Sequence, residues 1–380
     1  MKFSFTSEQE ELRSVLRRYF EDTSPTSVVR RLMETEQGWE RDAWRDLHDQ
    51  LGIGGVHVPE AYGGQGLGFV ELGVVCEEMG RALVCSPFFA SSVLATTAIL
   101  CAGDETQKTA LLPKICGGET VATLAFAEPN GRWDGAGVET TASPADARYR
   151  LDGVKSYVLD GASADLIVVL ARTPGSQGEA GLSLFTVPRA AAGLTVQPLK
   201  TLDPTRKLAR LTFAGVEADL LGAFEGAAEP FARTLALASA MLASEMVGGA
   251  ERLREQALDY AGLRMQFGRP IASFQSMKHK QADMLLEVEL AKSAAYYAAA
   301  AADEVSQGGG ADFPAVAHLA KATASDTYLQ TAVHAIQIHG GIGFTWDNDT
   351  HLWFKRAKSS EVFLGDAFWH RERMMQTWAA

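Results

Sequence analysis

The apolar positions near the start of the chain recur at the spacing of a helix. Leu12, Leu16 and Phe20 are four residues apart, which is the period of one face of an α-helix. Ser7 and Glu10 precede this run at the spacing of a capping box and predict where the helix begins. Comparable patterns predict further helices at residues 44–51, 69–81, 91–101 and 105–115.

The pattern changes at about residue 121. Short runs of β-branched, aromatic and other apolar residues, separated by glycine, proline, aspartate and serine, predict strands of a small antiparallel sheet. These runs are residues 121–126, 149–151, 156–159, 166–171, 182–187, 194–198 and 208–213. Beyond residue 225, alanine-rich patterns predict long, closely packed helices. They are residues 228–261, 275–305, 313–339 and 352 to the end.

This order of elements predicts an α+β fold with three domains. We expect an N-terminal helical domain at residues 1–120, a central antiparallel β domain at 121–225 and a C-terminal four-helix bundle at 226–380. The sequence shows no β–α–β alternation, no Walker loop and no G-x-G-x-x-G motif after a strand. A nucleotide would therefore be bound by a different architecture from the doubly wound sheet.

Composition limits the possible partners. The formal net charge of −12 argues against non-specific binding to nucleic acid, which needs a basic surface. A local helix N-terminus can still hold an anionic ligand on an acidic protein. No apolar run reaches the ~18 residues of a membrane span, no signal-peptide pattern is seen, and no Cys/His cluster has metal-site spacing. We therefore predict a soluble cytoplasmic protein with no metal.

Three segments together resemble the acyl-CoA dehydrogenase family. They are residues 58–64 with 77–81, residues 264–271 with 274–275, and residues 337–344. The resemblance covers nearly the whole chain. It implies a helical, sheet and helical order of domains, an FAD cofactor and a homo- or hetero-tetramer. It also implies oxidation of the Cα–Cβ bond of an acyl-CoA thioester, with an electron-transfer flavoprotein or a similar protein as the acceptor.

The resemblance also implies a set of cofactor contacts. In the family, the arginine of R-x-x-F-G and the glutamine after the next phenylalanine contact the FAD of a neighbouring subunit; here they are Arg264 and Gln275. The family's Q-x-x-G-G turn meets the adenine and pyrophosphate half, and here it contains Gln337, Gly340 and Gly341. These residue types suit the task, because a guanidinium bonds a diphosphate bidentately and glycine allows close backbone approach.

Two segments depart from the family pattern. The flavin-side loop E-P-G-x-G-S-D is matched by residues 128–134, in which Arg132 and Trp133 replace a glycine and the serine. The family's W-I-T stretch is matched by residues 157–159, so Leu159 stands where a threonine bonds the flavin ring. The sequence therefore does not predict the usual flavin-ring contacts from this subunit.

The catalytic base is the third departure. The reaction needs a carboxylate against the Cα proton, yet the two glutamate positions used in the family fall on Leu364 and Ala238. Glu245 lies two helical turns beyond Ala238 on the same predicted face, and it is the candidate base. It is alternatively a buried glutamate paired with an arginine, or a glutamate exposed between subunits. Asp366 is a further rival for the role of base.

Two functions remain open from the sequence. The chain is either an FAD-dependent acyl-CoA dehydrogenase that uses Glu245, or a subunit of a heterotetrameric enzyme that completes FAD sites without a base. Bacterial branches of the family that act on steroid side chains form such mixed tetramers. A non-redox protein that has kept the fold is disfavoured, because it would not need Arg264, Gln275 and Gln337.

Overall fold

The computed structural model of the chain describes residues 5–306 and 308–379. Its α-helices are α1 (Ser7–Thr23), α2 (Thr26–Met33), α3 (Arg41–Asp49), α4 (Phe69–Ala82), α5 (Thr96–Ala102), α6 (Glu105–Cys116), α7 (Ala228–Leu263), α8 (Gln275–Ser306), α9 (Phe313–His339), α10 (Thr350–Val362) and α11 (Ala367–Ala379). Its strands are β1 (Ala122–Ala125), β2 (Thr141–Ala145), β3 (Arg148–Leu159), β4 (Leu166–Arg172), β5 (Leu182–Pro188), β6 (Leu194–Leu199), β7 (Leu208–Leu221), β8 (Met265–Gln266) and β9 (Arg269–Pro270).

The chain packs into two compact units. The helical unit comprises the described residues up to Arg31, residues 69–84 and the chain from Ser239 onward; the sheet unit comprises residues 32–68 and 85–238. The helical unit therefore combines segments from both ends of the sequence. The predicted α+β fold with helical, sheet and helical regions is confirmed, while the domain limits at residues 120 and 225 stay a prediction.

The sheet unit contains a mixed sheet, not the purely antiparallel one expected. Its strand order is β1-β4-β2-β3-β7-β5, with β6 paired to β7 and β5 paired to both β7 and β4. The exceptions to antiparallel pairing are β1 and β2, which both run parallel to β4. The predicted strands 149–151 and 156–159 form one strand, β3. A bulge at Tyr157, whose φ is 58°, interrupts its register with β7.

The helical unit is organised around α7, α8 and α9. The predicted fourth helix of the bundle is two helices, α10 and α11, because the backbone reverses at Leu364 and Gly365, where φ is 63° and 107°. The N-terminal capping box lies one residue earlier than predicted: Gln9 N donates to Thr6 Oγ1 and Thr6 N donates to Gln9 Oε1. None of the described helices is long and apolar enough to cross a membrane.

Two glycines let α4 and α7 touch backbone to backbone. A Cβ added to Gly80 of α4 would lie 1.9 Å from the carbonyl oxygen of Glu245, and one added to Gly248 of α7 would lie 1.9 Å from that of Glu77. Both distances are far below a van der Waals contact. The crossing therefore tolerates no side chain at either position.

We expect Gly248→Ala to lower the free energy of unfolding by at least about 2 kcal/mol, because the added methyl group must push the two backbones apart. Gly262→Ala is the matched control on the same helix: a Cβ there meets nothing within 4 Å, and alanine favours the helix by about 0.5–1 kcal/mol. Urea unfolding of the two variants measures the difference, and equal effects would contradict the backbone contact.

Candidate active site

Arg264 and Gln275 are joined by a short hairpin at the end of α7. Strands β8 and β9 form the hairpin, and Ile271 N donates a hydrogen bond to the carbonyl of Arg264 at 2.8 Å. Gln275 is the first residue of the 32-residue helix α8, and both side chains are exposed. The partial positive charge of a helix N-terminus and a guanidinium therefore face solvent in the same region.

Gln337, Gly340 and Gly341 lie near the same end of α8. The Nζ of Lys280, in the second turn of α8, donates to Gln337 Oε1 at 2.8 Å. Gly340 ends α9 with a φ of 67°. A Cβ on either glycine would meet no atom within 4 Å in the described part of the chain. The structure thus brings the five predicted cofactor residues to one end of the helical unit, with an open surface at the glycines.

The chain also offers unused polar atoms at this end. Gln281 follows Lys280, and its Oε1 and Nε2 are buried without a hydrogen-bond partner in the described structure. The Nδ1 of His334, one turn before Gln337, is likewise buried without a hydrogen-bond partner in the described structure. The Nδ1 of His339, in contrast, donates to the carbonyl of Ala335 at 2.8 Å. Exposed donors, a helix N-terminus and orphaned polar atoms fit a polar, phosphate-bearing ligand.

Glu245 is buried and ion-paired. Its Oε1 lies 3.1 Å from Nη1 of Arg356 on α10, and both side chains are largely inaccessible to solvent. This matches the alternative that the sequence left open, a buried glutamate paired with an arginine. Its role as the base stays a prediction. About 27 Å of α7 separates Glu245 from the hairpin, at a rise of 1.5 Å per residue.

The flavin-side loop is anchored inside the sheet unit by Glu128. Its Oε1 accepts from Nζ of Lys155 at 2.7 Å and from Thr140 N at 2.9 Å, and its Oε2 accepts from Glu139 N at 2.8 Å. Lys155 is fully buried. Burial lowers its pKa to about 8, against the opposing pull of Glu128. Every oxygen of this carboxylate is therefore occupied by the chain itself.

Trp133 gives the same loop an aromatic surface. Its ring centroid lies 5.9 Å from that of Phe126 and 6.5 Å from that of Tyr157, while Arg132 pairs with Asp134 on the exposed side. Leu159 is buried and brings no hydroxyl. Where the family pattern has glycines and a serine, this loop carries a ring cluster and an ion pair.

The turn at Leu364 is held by a buried lysine that the sequence did not single out. Nζ of Lys321 donates to the carbonyls of Gly365 and Glu361, at 3.0 and 3.2 Å, and to Oγ of Ser325 at 2.9 Å. These three acceptors surround the Nζ atom, which can donate to all three when it is protonated. An alanine-rich helix gave no signal that one lysine would point inward.

His370 holds the same turn from α11. Its Nε2 donates to the carbonyl of Leu364 at 3.1 Å, and its Nδ1 lies 2.8 Å from Nδ1 of His318. Because Nε2 carries the proton, Nδ1 of His370 accepts from the Nδ1–H of His318. Burial lowers the pKa of His318 to about 4, so the pair is neutral at pH 7. The main chain at Leu364 is therefore fixed from two helices, although leucine itself carries no proton acceptor.

Family comparisons agree with this architecture. The chain matches the acyl-CoA dehydrogenase N-terminal domain at residues 6–119, the middle domain at 123–216 and the C-terminal domain at 230–378. The fold and these matches define a class of oxidoreductase that acts on the CH–CH bond of acyl-CoA. The chain belongs to the acyl-CoA dehydrogenase family.

Individual relatives cover most of the chain. It is 32% identical to the acyl-CoA dehydrogenase IpdE2 of Mycobacterium tuberculosis, over 89% of this chain and 87% of that protein. It is 31% identical to a variant of the Tcur3481-Tcur3483 steroid ACAD, with a TM-score of 0.87 and 98% of both chains covered. The butyryl-CoA dehydrogenase of Megasphaera elsdenii is 26% identical, with a TM-score of 0.92 and full coverage of both chains.

The lowered pKa of Lys321 predicts a pH-dependent stability. Burial brings this pKa from 10.5 to about 7, although Glu361, Asp366 and Asp326 raise it. Between these values the unfolded chain binds a proton that the folded chain lacks, so raising the pH favours the folded state. We expect the unfolding free energy of the wild type, minus that of Lys321→Met, to increase from pH 7 to pH 10. Urea unfolding of both proteins at matched ionic strength measures it; parallel pH curves would contradict the assignment.

Proposed function

We propose that this chain is an acyl-CoA dehydrogenase subunit that completes an FAD site but supplies no catalytic base. The observation that carries the proposal is the buried pair of Glu245 and Arg356, at 3.1 Å. A carboxylate oxygen that lies 3.1 Å from a buried guanidinium already has a charge-assisted partner, which a substrate proton would have to replace. The other positions that the family pattern offers, Leu364 and Ala238, bear aliphatic side chains.

The cofactor site fits the dinucleotide. We assign Arg264 and the N-terminus of α8 at Gln275 to the diphosphate, because both present positive charge to solvent. Gly340 and Gly341 allow the ligand to approach the backbone, and Gln337, steadied by Lys280, offers an amide. When bound, FAD supplies the acceptor for the hydride that leaves Cβ of the acyl group. The residues of this chain bind and orient that group.

The exposure of apolar side chains at this end supports assembly with another chain. Phe267 in the hairpin is 91% exposed and Phe344, just beyond Gly341, is 77% exposed. Large apolar side chains beside a ligand site are typical of a surface that a partner covers. A mixed tetramer is supported by the similarity to the steroid ACAD whose name joins two proteins, Tcur3481 and Tcur3483. We propose the same arrangement here, with an electron-transfer flavoprotein or a similar acceptor and a steroid-derived or other bulky acyl-CoA.

The assignment of Arg264 predicts a loss of bound flavin. Arg264→Met removes the guanidinium that we assign to the diphosphate, and charge-assisted bonds of this kind are worth about tenfold or more in affinity. We expect the flavin content of the complex purified with its partner to fall accordingly, measured by absorbance per protein. Arg269→Met is the control: it removes the same charge from the same hairpin, where that guanidinium lies over the ring of Phe274 at 4.0 Å. Equal losses of flavin in the two variants would show that Arg264 contributes only its positive charge and makes no specific contact with the diphosphate.

The absence of a base predicts that Glu245 is dispensable for chemistry. Glu245→Gln keeps the shape and an acceptor for Arg356. We expect the flavin of the complex to be reduced anaerobically by its acyl-CoA within about threefold of the wild-type rate, whereas loss of a general base costs about 10²–10⁴. Stopped-flow absorbance measures this on a panel that includes short-chain and steroid-derived thioesters. A complex that keeps FAD but is no longer reduced would identify Glu245 as the base and refute the proposal.

A further inference from the structure

The helical unit contains a cavity that neither the cofactor site nor the candidate base uses. It has a volume of about 260 Å³ and lies between α1, the start of α2, the end of α4, α7 and Trp353 of α10. Three guanidinium groups line it: Arg17, Arg81 and Arg252. Two carboxylates, Glu21 and Glu78, line it as well.

Glu78 is committed to the arginines of α1. Its Oε1 accepts from Arg17 at 2.7 Å and from Arg13 at 3.3 Å, and its Oε2 accepts from Nε of Arg17 at 3.0 Å. The carboxylate is buried, with a side-chain exposure of 1%. Its hydrogen bonds therefore go to α1 and not to Arg81 or Arg252, while Glu21, which also lines the cavity, is exposed.

Arg81 and Arg252 share a single carboxylate. Nη2 of Arg81 bonds Oε2 of Glu255, while Nη1 of Arg252 lies 3.9 Å from the same oxygen, beyond hydrogen-bond distance. Burial lowers the pKa of Arg252 and the charge of Arg81 lowers it further, while Glu255, Glu21 and Asp259 raise it. Two guanidiniums thus approach the same carboxylate, and only that of Arg81 is hydrogen-bonded to it.

Donors remain unused in this arrangement. Nη1 of Arg81 is buried and has no hydrogen-bond partner in the part of the chain that the structure describes. A buried guanidinium N–H without an acceptor costs more than an ordinary lost hydrogen bond. The lining also includes Thr26, the first residue of the eight-residue helix α2, where the helix dipole favours an anion. Ser24 lines the cavity as the C-cap residue of α1, and its hydroxyl donates to the carbonyl of Ala82.

We propose that this cavity is a binding site for a phosphate group, held between the guanidiniums of Arg81 and Arg252 and facing the start of α2. A dianion there accepts from Nη1 of Arg81, relieves the repulsion between two like charges and matches the fork of each guanidinium. The volume accommodates a phosphate with ordered water, either as the free ion or as the terminal group of a phosphomonoester. The site is independent of the proposed FAD site and of the choice of base.

Isothermal titration of the full-length protein with inorganic phosphate, against chloride at equal ionic strength, tests the proposal. We expect the wild type to bind phosphate and Arg252→Met to bind at least about tenfold more weakly. Arg252 is 41% exposed, so this variant is expected to fold. Arg254→Met is the matched control, because Arg254 lies on the same helix, outside the cavity, and pairs with Glu251 at 2.6 Å; its affinity should stay within about twofold.

A parallel titration distinguishes the two sources of the phosphate. Adenosine 3′-phosphate is compared with adenosine, which differs from it by the phosphate alone. Arg252-dependent binding of either inorganic phosphate or the ester supports the site and identifies its ligand. The proposal is overturned if the wild type binds neither compound, or if Arg252→Met loses no more affinity than Arg254→Met.

Discussion

The backbone contact between α4 and α7 determines how charge is distributed in the helical unit. Gly80 and Gly248 bring the two helices so close that a carbonyl of each helix occupies the place of a side chain on the other. Such a crossing leaves no room for side chains at the two glycines themselves, and charged residues lie close to it along both helices. Arg81 of α4 faces Glu255 of α7, and Glu245 of α7 is reached by Arg356 from α10. The candidate base and the proposed phosphate cavity thus both lie beside the same helix crossing.

Buried charges in this protein fall into two groups. Lys155 with Glu128, Lys321 with its three acceptors, and Glu245 with Arg356 are each matched by partners within hydrogen-bond distance. Breaking one partner of such a pair costs more than the pair contributes to stability, so these residues are expected to be retained for the fold alone. The cavity beside Arg81 and Arg252 is different, because Nη1 of Arg81 has no hydrogen-bond partner in the described structure and Arg252 comes no closer than 3.9 Å to Glu255. That contrast is the physical reason for interpreting the first group as structural and the second as a ligand site.

Prediction from the sequence succeeded where the signal was local. The helix predicted at residues 313–339 has those bounds in the structure, because alanine-rich composition and the glycines after His339 determine both its persistence and its end. Strand β2 was missed, since its polar, proline-containing sequence shows no strand pattern of its own and is ordered by pairing with β3 and β4. The bulge at Tyr157 was also missed, because the left-handed conformation of this aromatic residue is imposed by the sheet and not by local propensity.

The candidate site shows the same difference between local and long-range signals. Contiguous motifs selected Arg264, Gln275, Gln337 and the two glycines as candidates, and the structure brings them to one end of α8; their contact with FAD stays a prediction. Glu245 could not be assigned, because its decisive partner, Arg356, lies 111 residues away on another helix, and no periodicity reports a pairing over that distance.

The turn at Leu364 shows how a subunit could lose a catalytic group without losing the geometry around it. A leucine with a φ of 63° costs about 1–2 kcal/mol relative to ordinary backbone, and nothing in an aliphatic side chain offsets that cost. Hydrogen bonds to the main chain offset this cost instead, because Lys321 and His370 donate to the carbonyls of residues 361, 364 and 365. None of these bonds depends on the side chain at position 364. The fold therefore keeps the turn whether or not a proton acceptor stands there, as the proposed base-lacking subunit requires.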